Sequence, residues 1–87
     1  MNMQHTPELV IYVMAHCAVC EYALETADWL RARYPQLKLR VVDLANPQES
    51  VPEIVFATPT YVLDGRVWSL GNPSRADAMQ TFDKLLA

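Results

Sequence analysis

The sequence has no run of basic residues, no long apolar stretch, and only two cysteines among its 87 residues. Each scarcity removes a class of function. Seven Lys and Arg stand against ten Asp and Glu, for a net charge of -3, so there is no electrostatic footprint for nucleic acid. The longest near-continuous apolar stretch runs from Leu9 to Ala15 and is closed by His16, far short of the roughly 20 residues that span a bilayer. Met1 to Glu8 carry no Lys or Arg and lead into that stretch without a small-residue cleavage site, so they do not read as a secretory leader. The expected location is the cytoplasm, with neither membrane nor nucleic acid as partner. In such a reducing compartment a close pair of cysteines serves catalysis or metal binding more often than it staples a fold.

What is present describes one globular unit. The composition is 52% hydrophobic and 20% charged, and the length suits a single domain over 1–87 with a polar lead at 1–7. Leu9 to Met14 is short, apolar and β-branched, as a central strand buried on both faces would be. Cys20, Ala23, Leu24, Ala27, Leu30 and Tyr34 then follow helical spacing and form one apolar stripe, ended by Pro35. Leu37 to Asp43 opens with edge-strand alternation. Pro52 suits the first turn of a short helix to about Ala57. Thr60–Leu63 and Arg66–Leu70 flank Asp64-Gly65, a hairpin turn signal. The last helix is capped by Ser74, with Asp77 three residues on, or by Asn72 with Pro73 as its first residue. It runs to about Leu86, with Ala78, Met79, Phe82, Leu85 and Leu86 inward.

The expected fold is α/β, in the order β-α-β-α-β-β-α. The first crossover must be right-handed with parallel strands, and the hairpin is antiparallel. The simplest sheet is four-stranded and mixed, of order 2-1-3-4. The first and third helices lie on one face and the short second helix on the other.

Cys17-Ala18-Val19-Cys20 falls between the first strand and the first helix. Unpaired N–H groups and the positive dipole end of a helix start favour an anion, which lowers a thiol pKa. Cys17 sits there. Cys20 lies one turn in, on the apolar stripe. The roles divide accordingly: Cys17 attacks a disulfide, and Cys20 resolves the mixed disulfide. The plain alternative is two small core residues. A structural zinc would need four ligands, and only His5 and His16 are at hand to supplement two thiolates. The M-x-C-x-x-C pattern of copper chaperones fails, because Met14 is three residues before Cys17. A c-type haem site would need His where Glu21 stands. No metal and no cofactor are expected. A protonated His16 would favour the Cys17 thiolate; otherwise it is a turn residue without a role. His5 reads as incidental. Tyr22, Trp29 and Trp68 are read as packing residues rather than as a partner surface.

The C-x-x-C after a buried strand, followed by Thr58-Pro59-Thr60, Asp64-Gly65-Arg66-Val67 and Gly71, resembles the thioredoxin and glutaredoxin superfamily over about residues 8–86. The resemblance implies a cis proline at Pro59 beside the C-x-x-C, and backbone bonding of an extended substrate by Thr58. The 2-1-3-4 order agrees, since it sets the start of strand three beside the end of strand one. This chain departs from the family in several places. The C-x-x-C interior is Ala18-Val19 without proline. The acid that thioredoxins keep in the first strand is missing, and Asp43, at the end of the second strand, either approaches the site or caps its own loop. The glutaredoxin Lys and Gly-Gly positions are held by Met14 and Gly71-Asn72, which speaks against a glutathione site. The expected function is a monomeric thiol–disulfide oxidoreductase in electron transport, acting on protein disulfides and recharged by an upstream reductase. Its expected substrate rim is His16, Ala18, Val19, Thr58, Pro59 and Gly71. The rival readings are a non-catalytic binding module with a redox-sensitive latch, and a metal chaperone.

Overall fold

The computed structural model describes residues 6–15, 17–46 and 48–87. Its elements are β1 (Glu8–Val13), α1 (Ala18–Arg33), β2 (Lys38–Asp43), β3 (Thr60–Leu63), β4 (Arg66–Leu70) and α2 (Arg75–Leu85). They form one four-stranded sheet of order β2-β1-β3-β4. β1 runs parallel to β2, with Glu8 opposite Lys38 and Val13 opposite Asp43. It runs antiparallel to β3, with Tyr12 opposite Thr60. β4 closes the hairpin, with a register irregularity between Tyr61 and Val62. The turn residues Asp64 and Gly65 both have positive φ, +50° and +84°, as a two-residue hairpin requires. Glu8 N–H donates to Asp64 Oδ1 and Asp64 N–H donates to Glu8 O, each at 2.9 Å, so the turn is tied to the start of β1.

The alternation of β1 divides the core between two faces. Leu9, Ile11 and Val13 pack with Cys20, Ala23, Ala27 and Leu30 of α1 and with Ala78 and Phe82 of α2. Both helices therefore lie on one face. Val10, Tyr12, Val42 and Val62 point the other way, where Leu44, Val51 and Val55 cover them.

The short helix expected from Pro52 does not form. Residues 52–57 make turns and bends, with a single backbone bond from Val55 N–H to Pro52 O at 3.0 Å. One turn does not repay the nucleation of a helix, and Thr58, preceding Pro59, is steered away from helical geometry. The second face is thus covered by the 44–57 loop. Arg40 pins that loop: its guanidinium bonds Glu8 Oε2 at 3.0 Å and also pairs with Glu49.

Two stripe assignments also change. Leu24 is 48% exposed, because Cys20, Ala23, Ala27 and Leu30 already fill the narrow contact line of α1. Leu85 is likewise exposed at the last turn of α2. Ser74 is the N-cap, its hydroxyl accepting from Asp77 N–H at 3.0 Å. Trp68 packs edge-on against Phe82 and Tyr61, at 5.1 and 6.0 Å between centroids. Trp29 meets Tyr34 and Arg75, while Tyr22 is exposed.

Candidate functional site

β1 ends at Val13 and α1 starts at Ala18, so the first cysteine falls on the N-cap. Cys17 has extended backbone, φ -108° and ψ 108°, and its carbonyl accepts from Cys20 N–H at 3.0 Å. One helical turn separates the two residues, with Cα atoms 5.2 Å apart, and their sulfurs are joined in a disulfide. Their surroundings differ. Cys20 is 4% exposed and packs in the helical core, while Cys17 is only partly buried at its edge. Ala18 and Val19, between them, are exposed.

The second wall comes from the other end of the chain. Since Tyr12 pairs with Thr60, the segment just before β3 lies beside the end of β1. The Thr58–Pro59 peptide bond is cis. Pro59 is fully buried, and the Thr58 hydroxyl points at Cys17 Sγ at 3.9 Å. Thr60 Oγ1 donates to Ala57 O at 2.6 Å, which secures the approach to the strand. Gly71, at φ +85°, turns the chain after β4 so that its N–H donates to Pro59 O at 2.8 Å; a side chain at that φ would be strained.

Cys17, Ala18, Val19, Thr58, Pro59 and Gly71 are thus brought to one end of the sheet. His16 and His5 lie outside the described residues. Sequence reasoning left Asn72 out of the site, weighing it as a helix cap and as the residue standing at the second glycine of the glutaredoxin turn. Its Nδ2 donates to Val19 O at 2.7 Å, and its Oδ1 accepts from the Tyr61 hydroxyl at 2.7 Å. Nothing in the local pattern marks this contact, because it links residues 53 apart.

A recess of about 520 Å³ opens beside the disulfide, between Met14, Leu24 and the carboxylates of Glu21 and Asp43. Asp43 does both things weighed from the sequence. It lines the recess, and its Oδ1 accepts from Ala45 N–H at 2.9 Å in its own turn. Burial pushes the Tyr61 phenol above its ordinary pKa, against a lowering hydrogen bond from Thr26. Among the described residues no group of three or more His, Cys, Asp or Glu is placed to hold a metal ion. No helix among them is long and apolar enough to cross a membrane.

No protein-family model and no curated protein matches the chain. Solved structures do. Thioredoxin-2 of the malaria parasite, described as a component of its protein secretion machinery, superposes with a TM-score of 0.72 at 23% identity, over 95% of this chain and 86% of that one. Thioredoxin of Fasciola hepatica gives 0.68 at 19% identity, over 91% and 80%. Thioredoxin O2 of Arabidopsis thaliana, in its oxidized state, gives 0.68 at 18% identity, over 94% and 76%. At these identities the likeness establishes the fold, which is that of thioredoxin.

Proposed function

We propose that this thioredoxin fold serves a thiol–disulfide oxidoreductase, exchanging its Cys17–Cys20 pair with disulfides of partner proteins. The observation that carries the reading is the asymmetry of the pair: one cysteine at a helix N-cap, partly exposed at the edge of the core, the other one turn inside the core, the two already bonded. In the reduced protein, the N–H groups of the first turn and the Thr58 hydroxyl stabilise a Cys17 thiolate. That thiolate attacks one sulfur of a substrate disulfide. A mixed disulfide forms and the other substrate sulfur leaves as a thiolate, which takes up a proton. Cys20, as thiolate, then attacks Cys17 Sγ. The second substrate thiol leaves and the internal disulfide closes. Two electrons pass to the substrate, and a dithiol reductase must return them before the next cycle.

The substrate segment would lie over Ala18 and Val19 on one side and Thr58, Pro59 and Gly71 on the other. An extended chain there can pair with the Thr58 backbone by β-augmentation. Such a cycle fits a reducing compartment, the cytoplasm, where a C-x-x-C turns over rather than staples.

Two measurements test the reading. Alkylation of reduced protein with limiting iodoacetamide at neutral pH should label Cys17, and its rate followed against pH should report a thiol pKa below the ordinary cysteine value. Cys20→Ser should trap partner proteins as mixed disulfides, and Cys17→Ser should not. An unshifted, unreactive Cys17 would favour the redox latch. Stoichiometric zinc or copper retained through dialysis would favour the metal chaperone.

A further inference from the structure

Asn72 is exposed in the loop between β4 and α2, yet both ends of its side-chain amide are used. Its oxygen accepts from the hydroxyl of Tyr61, a fully buried residue of β3. That bond fixes which way the amide faces, and so aims Nδ2 at the Val19 carbonyl, 2.7 Å away. A chain of hydrogen bonds therefore runs from β3 through the loop to the first turn of α1. Val19 lies between the two cysteines. The preceding residue, Gly71, bonds Pro59 O, so the same two-residue stretch grips both walls of the site.

We propose that Asn72 is a positioning residue for the redox pair. Its amide holds the turn between Cys17 and Cys20 in the closed, disulfide-bonded geometry, and so favours ring closure over the open dithiol. The physical basis is a difference in bonding between the two redox forms. The Asn72–Val19 bond is formed on the closed turn, so it stabilises the disulfide by more than the dithiol. The bond is fitted to the closed turn and loosens when the sulfurs part. Asn72 touches neither sulfur and acts only through Val19. The proposal rests on the reading of Cys17 and Cys20 as a redox pair.

The test is equilibration of the purified full chain in buffers of reduced and oxidised glutathione. There, dithiol plus oxidised glutathione gives the internal disulfide plus two reduced glutathiones, with electrons and protons balanced. Asn72→Ala should lower the equilibrium constant for disulfide formation about fivefold, the range of one net hydrogen bond. Asn72→Asp should lower it at least as far, because a carboxylate has no proton to give the Val19 carbonyl. Tyr61→Phe keeps the amide and loses only its aim, so about twofold is expected. The thermal midpoint of Asn72→Ala should fall further in the oxidised protein than in the reduced. Equal falls in both redox forms, or an unchanged equilibrium constant, would show Asn72 to be merely structural and overturn the proposal. If Asn72→Ala does not fold, Tyr61→Phe decides by the same constant. Because the readout needs only glutathione, failure of the wild-type chain to reduce protein disulfides would defeat the proposed function without touching this result.

Discussion

The two faces of the sheet are built to different standards. The helical face buries Phe82, Tyr61 and Leu30 completely and adds edge-on contacts among Trp68, Phe82 and Tyr61. The opposite face has four buried residues, Val10, Tyr12, Val42 and Val62, under a loop held by Leu44, Val51 and Val55. That loop is pinned by an arginine that is itself 41% exposed. Stability is therefore concentrated on one side. The candidate site draws on both: α1 and its cysteines come from the strong face, while Thr58 and Pro59 end the loop that covers the weak one. On the proposed function, in which the site admits an extended substrate, one firm wall and one that yields at low cost would serve it.

The comparison can be broken from the strong side first. Phe82→Ala should cost about 3–5 kcal/mol, which urea denaturation will read. A cost below that of any weak-face truncation would reverse the ranking. On the weak side, Val62→Ala removes about two methylene equivalents, near 1.6 kcal/mol at about 0.8 per CH₂, and the same denaturation series decides it. High pH distinguishes the faces by cause. Tyr61 is raised by burial, and Tyr12 by burial and then by Glu49 against Arg40. A tyrosine with its folded pKa above the unfolded value of 10.0 gives stability that is fully present below that value. It is lost as pH rises through the folded pKa. Stability should therefore fall above about pH 10, and Tyr61→Phe should flatten the fall independently of salt. Arg40→Gln should cost less than about 1 kcal/mol, and less still in high salt, because its partners are half exposed. Hydrogen exchange in that variant should quicken in residues 44–57 and leave α1 unchanged. Smallest is Thr58→Val, where the two faces meet. The contact to Cys17 Sγ is long, so the alkylation rate of Cys17 at neutral pH should fall about twofold to threefold.

Much of this was legible in the sequence, for physical reasons. β1 announces itself because both of its faces are apolar, and α1 because its stripe repeats at helical spacing. Asp64-Gly65 and Ser74 are local chemical choices with local consequences, and the structure has the hairpin and the cap at those positions. The 52–57 helix was misread because Pro52 marks a possible start and says nothing about propagation. Leu24 was misread because periodicity gives the direction of a stripe and not its width. Asn72 escaped because its partners, Tyr61 and Val19, are brought to it by tertiary structure.

The sheet order has a consequence for how the molecule assembles. β1, α1 and β2 form one run of near neighbours, and β3, β4 and α2 form another. The seam between the runs is the β1–β3 ladder, where Leu9 meets Leu63 across most of the chain. Closing a loop of that length is the slow, entropically opposed event in such a topology. Cys17 belongs to the first run and Thr58 through Asn72 to the second. Neither run alone contains a site, which comes into being only as the seam zips shut. Of two fragments cut within residues 48–57, the first should carry cysteines of ordinary thiol reactivity, and the faster alkylation of Cys17 should emerge on mixing, at the rate at which the halves find each other.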